Sequence, residues 1–117
     1  MQLKELDLQT AREIKAFLEK NYRDHYDYDS LCQKFGINKR KLKLAFKEVT
    51  KENIHAFISK IRIQRAMYLL KTSDMTIENI ASKVGLEKSN LNIQFKKYTG
   101  DTPARWRRNP VSLTVIS

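Results

Sequence analysis

The sequence repeats its own pattern at an interval of 49 residues, and this repeat constrains the fold more than any other feature. In each copy a short apolar segment leads to a glycine, and a longer segment with several lysines follows. Apolar residues recur at helical spacing on both sides of the glycine, so each copy is predicted to form a helix-turn-helix. The paired positions include Leu31 and Ile80, Gly36 and Gly85, Leu42 and Leu91, Phe46 and Phe95, Thr50 and Thr99, and Phe57 and Trp106.

Helical periodicity continues outside the repeat and predicts an all-α fold of about seven helices. The first helix is expected to begin at Thr10, because Thr10 and Glu13 have the spacing of a capping box. A long helix is expected from Asn53 to about Thr72. Other helix starts are expected at Asp27 or Asp29, at Asn38, at Thr76 and at Thr102.

These elements predict two helix-turn-helix subdomains that are joined by a long linker helix. The predicted parts are residues 1–9 as an N-terminal tail or linker remnant, 10–52 as the first helix-turn-helix subdomain, 53–72 as the linker helix, 73–108 as the second helix-turn-helix subdomain, and 109–117 as a C-terminal tail.

The net positive charge of the chain comes from two windows of the sequence. The 117 residues include 23 Lys and Arg against 13 Asp and Glu, for a formal charge of +10. Residues 38–51 and residues 88–108 each carry a balance of +5, and the charges elsewhere cancel. This distribution is expected of a protein that contacts a polyanion at two places. Basic helix faces that are merely solvated, or a membrane surface as the ligand, are the alternatives.

Other functional classes fit the sequence poorly. The single cysteine and the two histidines do not form a metal-ligand cluster, and there is no glycine-rich phosphate loop or nucleophile–base pair. We therefore expect no enzyme activity, no cofactor and no metal. The sequence has no apolar run of membrane-spanning length and no signal-peptide core, so a soluble cytoplasmic protein without a membrane partner is expected.

In a DNA-binding helix-turn-helix, the second helix is called the recognition helix. Helix geometry divides the residues of this helix, in each copy, between a core side and an outer side. When Leu42 and Leu91 point to the core, polar and basic residues fall on the opposite side, where they can hydrogen-bond base edges in a major groove. Lys47 and Lys96 lie a turn later and are expected to contact phosphates. The outer positions are Arg40, Lys43 and Leu44 in the first copy, and Ser89, Asn92 and Ile93 in the second.

Two of these outer positions, Leu44 and Ile93, are equivalent in the repeat and both apolar. An aliphatic side chain there can pack on a thymine methyl group. The alternative is that the aliphatic stems of neighbouring lysines shield it from water.

Three stretches resemble the DNA-binding domain of the AraC/XylS family of bacterial transcription regulators. They are Ile61-Arg-Ile-Gln-Arg-Ala-Met-Tyr-Leu-Leu70, Ile80-Ala81 with Val84-Gly85-Leu86, and Phe95-Lys-Lys-Tyr-Thr-Gly-Asp-Thr-Pro-Ala-Arg-Trp-Arg107. The resemblance covers about residues 10–108. It implies a monomeric module whose two recognition helices read adjacent major-groove segments of an asymmetric site.

The family's contact positions carry over onto particular residues of this chain. The resemblance implies base contacts by Arg40, Lys43, Leu44, Lys88, Ser89, Asn92 and Ile93. Ile93 stands where an arginine is frequent in the family. The expected phosphate contacts are Lys39, Lys47, Lys51, Lys96, Lys97 and Arg105.

The leading hypothesis is therefore sequence-specific binding of double-stranded DNA that regulates transcription. Activation through recruitment of RNA polymerase, and a sensing or receiver domain missing from this chain, are implied by the resemblance alone. The sequence is compatible with an output domain excised from a longer regulator and with a stand-alone regulator. The alternatives are a nonspecific architectural DNA-binding protein and a helical module that docks an acidic protein partner.

Overall fold

The computed structural model describes residues 2–109, and in that range the chain forms seven α-helices and no β-strand. The helices are α1 (Glu5–Lys20), α2 (Tyr28–Phe35), α3 (Lys39–Thr50), α4 (Ile54–Thr72), α5 (Ile77–Lys83), α6 (Lys88–Thr99) and α7 (Pro103–Arg108). The predicted all-α class and the number of helices are confirmed. The predicted C-terminal tail lies outside the described residues apart from Asn109, which ends α7.

The described chain divides into two compact units, with the boundary between Ile58 and Ser59 inside α4. The first unit contains α1, α2, α3 and the beginning of α4. The second contains the remainder of α4 with α5, α6 and α7. The assignment of functional subdomains to residues 10–52 and 73–108 stays a prediction.

The first helix begins earlier than the capping box at Thr10 predicts. Helix α1 starts at Glu5, and the Asp7 carboxylate accepts a hydrogen bond from the backbone N–H of Lys4 at 2.9 Å. The Thr10 hydroxyl lies inside the helix and donates to the carbonyl of Leu6 at 3.0 Å, so the predicted cap at Thr10 is wrong. Most of the segment predicted as an N-terminal tail is therefore the first turn of a helix. Acidic side chains in this turn interact favourably with the helix dipole.

The core of the first unit lies where α1 packs on α3. Three residues of α1 (Ala11, Ile14 and Leu18) and three of α3 (Leu42, Ala45 and Phe46) are completely buried. Helix α2 adds Leu31, and the Phe57 ring of α4 meets the Phe46 ring edge-on, with the centroids 5.3 Å apart. These contacts fix the rotation of α3 about its own axis.

The second unit repeats this arrangement with different residues. Leu91 and Phe95 of α6 are buried, and α7 places Trp106 against Phe95 with the ring centroids 5.5 Å apart. The Phe95–Trp106 pair is thus the counterpart of the Phe46–Phe57 pair, as the repeat predicts. Helix α5 contributes Ile80 and Ala81 to this core, and Val84 directly after it is also buried. Helix α4 contributes Ile63, Ala66 and Leu70.

The turns of the two helix-turn-helix units have the same backbone hydrogen bond. The N–H of Ile37 donates to the carbonyl of Cys32 at 3.2 Å, and the N–H of Leu86 donates to that of Ala81 at 2.9 Å. Gly36 and Gly85 lie inside these turns with φ of 65° and 85°, which glycine adopts without steric cost. Both recognition helices therefore begin three residues after their turn glycine.

Candidate nucleic-acid interface

The first recognition helix, α3, starts at a side-chain cap and is oriented by its buried residues. Asn38 Oδ1 accepts a hydrogen bond from the backbone N–H of Lys41 at 2.8 Å. Because Leu42 and Phe46 face the core, the opposite side of the helix faces solvent. The structure places all three predicted base-contact residues of α3, and the predicted phosphate contact Lys47, among the exposed residues: Arg40, Lys43, Leu44 and Lys47.

The second recognition helix, α6, presents a similar face. Burial of Leu91 and Phe95 turns most of the predicted contact residues toward solvent. Lys88, Ser89, Ile93 and Lys96 are exposed, whereas Asn92 is half-buried. Glu87 is at the cap position that Asn38 occupies in the first unit, but its side chain makes no cap hydrogen bond.

The two aliphatic residues on these faces are open to solvent to different degrees. Leu44 is 44% exposed and Ile93 is 69% exposed. Lysine stems therefore do not shield Ile93, and they cover Leu44 in part at most. Each recognition helix thus has an apolar contact surface among its polar and basic side chains, which suits the methyl group of thymine.

The remaining predicted phosphate contacts are also exposed, but they differ in their partners. Lys39 and Lys97 are on α3 and α6, and Lys51 directly follows α3. Arg105 Nε on α7 lies 3.4 Å from Asp101 Oδ1, and Lys88 Nζ on α6 lies 3.6 Å from Glu78 Oε1. Both cations are exposed, so these ion pairs are weak and leave Arg105, a predicted phosphate contact, and Lys88, a predicted base contact, available to a ligand.

One arginine of the second basic window is used inside the protein. The Arg107 guanidinium donates from Nε to the Leu70 carbonyl (3.2 Å), from Nη1 to the Met75 carbonyl (2.7 Å) and from Nη2 to the Ser73 carbonyl (3.2 Å). It thereby holds the end of α4 and the loop after it against α7. Arg107 lies in the second basic window of the sequence, but the structure gives it an internal structural role.

Sequence reasoning missed one aromatic residue at the edge of the first face. Tyr28 is the first residue of α2, and the Lys43 and Lys39 ammonium groups lie 4.8 Å and 5.8 Å from the centre of its ring. A signal was present in the repeat, where Tyr28 corresponds to the aliphatic Ile77. The aromatic residue occurs in the copy whose recognition helix has lysines at both 39 and 43.

The acidic cap of α2, Asp27, lies close enough to Lys39 to interact with its charge. The backbone N–H of Ser30 donates to Asp27 Oδ1 at 2.7 Å. This hydrogen bond is the main reason that the pKa of Asp27 is below its usual value, and the positive charge of Lys39 contributes less. Asp27 is thus held as a carboxylate near the start of α3.

Other kinds of site find little support in residues 2–109. In this range no helix is long and apolar enough to cross a membrane, and no group of three potential metal ligands forms. A small cleft of about 110 Å³ in the second unit is lined by Lys60, Ile63, Gln64 and Tyr98. Small-molecule sites usually have ~300 Å³ or more, so this cleft is a weaker candidate for a ligand site than the two basic faces.

Comparison with known proteins identifies related sequences. Residues 31–109 match a protein family described as a helix-turn-helix domain. The HTH-type transcriptional activator RhaR of Cronobacter sakazakii is 34% identical over 84 residues, and RhaR of Escherichia coli K12 is 32% identical over 80 residues. These alignments cover 71% and 68% of this chain but only 30% and 28% of the relatives, so the chain spans less than a third of their length.

Solved structures share the fold over most of the chain. The C-terminal domain of AraT, a response regulator from Geobacillus stearothermophilus, has a TM-score of 0.81 at 23% identity, with 92% of this chain and 88% of that chain covered. The DNA-binding domain of the global transcriptional factor AdpA was solved in complex with a target DNA. It has a TM-score of 0.79 at 22% identity, with 85% and 90% covered.

Proposed function

This chain belongs to the AraC/XylS family of transcription regulators, and we propose that it is a helix-turn-helix domain that binds double-stranded DNA sequence-specifically, with α3 and α6 in the major groove. The observation that supports this proposal is the repeated exposure of one polar and basic face on each recognition helix. In both units a glycine turn and a buried aromatic pair orient that face outward. A surface that merely attracts polyanions needs no such repeated orientation.

We assign the exposed residues of each face to two roles. Arginine, lysine, serine and asparagine side chains hydrogen-bond base edges, and the two aliphatic side chains pack on thymine methyl groups. The proposed base contacts are Arg40, Lys43, Leu44, Lys88, Ser89, Asn92 and Ile93. Other lysines of the two basic windows and one arginine neutralise phosphates and set affinity rather than specificity. The proposed phosphate contacts are Lys39, Lys47, Lys51, Lys96, Lys97 and Arg105.

The wider role is proposed from the relatives. RhaR is a transcriptional activator of more than three times the matched length, and AraT is a response regulator. By analogy we propose that this domain works in the cytoplasm as the output module of a regulator with a sensing or receiver domain, and that it activates transcription by recruiting RNA polymerase. We propose no catalytic activity, because the family consists of DNA-binding regulators.

Selection of DNA by the purified chain tests the proposal. A pool of random duplexes of ~25 base pairs is bound at roughly physiological salt, and the retained fraction is sequenced. We expect an asymmetric site with two enriched blocks about one helical turn apart. Retention without enrichment would instead support the nonspecific architectural alternative, and no retention even at low salt would contradict DNA binding.

Variants connect each block to one recognition helix. Arg40→Ala on α3 should relax the preference in one block, and Asn92→Ala on α6 should relax it in the other. Lys34→Ala removes an exposed lysine of α2 outside the predicted contacts and provides the control. If Arg40→Ala and Asn92→Ala both weaken binding without changing either block, these residues do not read bases.

A further inference from the structure

The Tyr28 ring lies against two lysines of α3 that are one helical turn apart. The ammonium nitrogen of Lys43 is 4.8 Å from the ring centre, and that of Lys39 is 5.8 Å away. Tyr28 is half-buried, whereas both lysines are exposed. We refer to Tyr28, Lys39 and Lys43 as the tyrosine–lysine cluster.

Physical chemistry gives this cluster a consequence for ligand binding. An ammonium group within about 6 Å of a ring centre is attracted to the face of the aromatic ring. A free lysine side chain has ~2 kcal/mol of rotamer entropy, which it loses when it contacts a ligand. A lysine that already rests on a ring has lost part of that entropy. Its ammonium has three N–H donors, so those that point away from the ring remain free for acceptors on DNA.

The second unit supplies a comparison, because it lacks the cluster. Ile77 stands at the position of Tyr28, and Asn92 stands at that of Lys43. Lys88, the counterpart of Lys39, lies instead 3.6 Å from the carboxylate of Glu78. The unit with both lysines therefore has an aromatic ring beside them, and the unit with only one lysine has no ring at that position.

We propose that Tyr28 is a positioning residue of the DNA interface, which holds Lys43, and less closely Lys39, in the place from which they contact DNA. Tyr28 itself need not touch DNA. The inference rests on the proposed function of α3 and adds a residue of α2 to the machinery that determines affinity.

A double-mutant cycle tests the inference on the duplex selected by the wild-type chain. Tyr28→Leu should weaken binding about two- to fivefold, the fold-change that corresponds to ~0.5–1 kcal/mol for an exposed cation–π contact. Tyr28→Phe retains a ring and should bind close to wild type. When Lys39 and Lys43 are both replaced by alanine, Tyr28→Leu should cause almost no further loss. Lys34→Ala is the matched control, because Lys34 also rests on a ring, that of Phe17, but lies outside α3.

Nuclear magnetic resonance of the wild-type chain gives a test that does not depend on a variant. The ε-methylene protons of Lys43 should be shifted upfield by the ring current of Tyr28, and the shift should persist when DNA is saturating. A return to ordinary chemical shifts on binding would overturn the proposal, since Lys43 would then leave the ring to reach DNA.

The outcomes separate this inference from the proposed function. If Tyr28→Leu causes the same loss with and without the two lysines, or binds as tightly as wild type, the positioning role is wrong while DNA binding stands. If the wild-type chain retains no duplex at low salt, the proposed function itself fails, and the positioning role fails with it.

Discussion

Lys51 and Gly100 occupy the same left-handed backbone position at the ends of equivalent helices, with φ of 67° and 85°. In each case the backbone N–H donates at 2.8 Å to the carbonyl of the residue four positions earlier, Lys47 or Lys96. The preceding threonines, Thr50 and Thr99, make matching side-chain hydrogen bonds on both sides of the helix end. The first unit therefore accepts a strained lysine where the second has an unstrained glycine, and Lys51 is also a proposed phosphate contact.

Replacement of this lysine should stabilise the protein and weaken its binding to DNA. The left-handed conformation costs an L-residue ~1–2 kcal/mol, and glycine loses ~0.5–1 kcal/mol more backbone entropy on folding. Lys51→Gly should thus raise the free energy of unfolding by about 0.5–1 kcal/mol, and Tm by roughly 2–8 °C in calorimetry. If Lys51 contacts a phosphate, the slope of log affinity against log salt should also become shallower by about 0.9.

The reverse substitution is the control for this prediction. A Cβ at Gly100 would meet no atom within 4 Å, so Gly100→Ala tests backbone strain alone and should lower the free energy of unfolding by a similar amount. A Lys51→Gly variant that is no more stable than wild type would show that side-chain contacts of Lys51 outweigh the strain.

The start of α6 offers a second stabilising change. Asn38 caps α3, whereas Glu87 at the same position of the second unit makes no side-chain cap bond. Glu87→Asp retains the negative charge near the helix N-terminus and provides a shorter side chain that can accept from the backbone N–H of Asn90. We expect the free energy of unfolding to rise by about 0.5–1 kcal/mol in urea denaturation.

Two further variants test whether a gain in stability comes from the side-chain cap. Glu87→Gln keeps the side-chain length and should bring no gain, while Asn38→Ala should cost about 1 kcal/mol by removing an existing cap. Equal unfolding midpoints for Glu87→Asp and Glu87→Gln would contradict the capping explanation.

Much of the fold could be predicted from local sequence signals. The caps at Asn38, Thr76 and Thr102 depend on residues three positions apart, and all three accept the expected backbone hydrogen bond. The start of α1 could not be predicted this way. Lys4, the residue before the helix, is not of a type that caps helices, and nothing between Glu5 and Thr10 breaks a helix, so the helix extends past the capping signal at Thr10.

The contacts that local patterns miss join residues far apart in the sequence. Arg107 binds carbonyls 32 to 37 residues earlier, and its charge is indistinguishable in the sequence from that of its neighbour Arg108. Tyr28 meets lysines of the next helix, which requires the angle between α2 and α3 to be known. The outward faces of α3 and α6 could be predicted because burial of Leu42 and Leu91 determines them, and their contacts with DNA stay a prediction.

Specificity should change when the exposed aliphatic residue of α3 is replaced. Leu44→Arg substitutes a side chain that prefers guanine O6 and N7 for one that packs on a thymine methyl. In DNA selection we expect the block read by α3 to change its preferred base, with overall affinity largely kept. Lys47→Ala is the matched comparison and should weaken binding to all sequences, with a salt slope shallower by about 1. An unchanged base preference in Leu44→Arg would remove Leu44 from the proposed base contacts.

Replacement of Arg107 should lower the free energy of unfolding, and not only the affinity for DNA. Its planar guanidinium donates to three carbonyls in a geometry that a lysine ammonium cannot reproduce. Arg107→Lys should therefore lower the free energy of unfolding by about 1–3 kcal/mol although the net charge is unchanged, because carbonyls in a partly buried site lose their donors. Arg108→Lys, at the exposed neighbouring position, should leave stability within about 0.5 kcal/mol of wild type in the same urea titration. If the two variants unfold at the same urea concentration, Arg107 does not hold the end of α4 against α7, and it becomes a candidate for the proposed phosphate contacts.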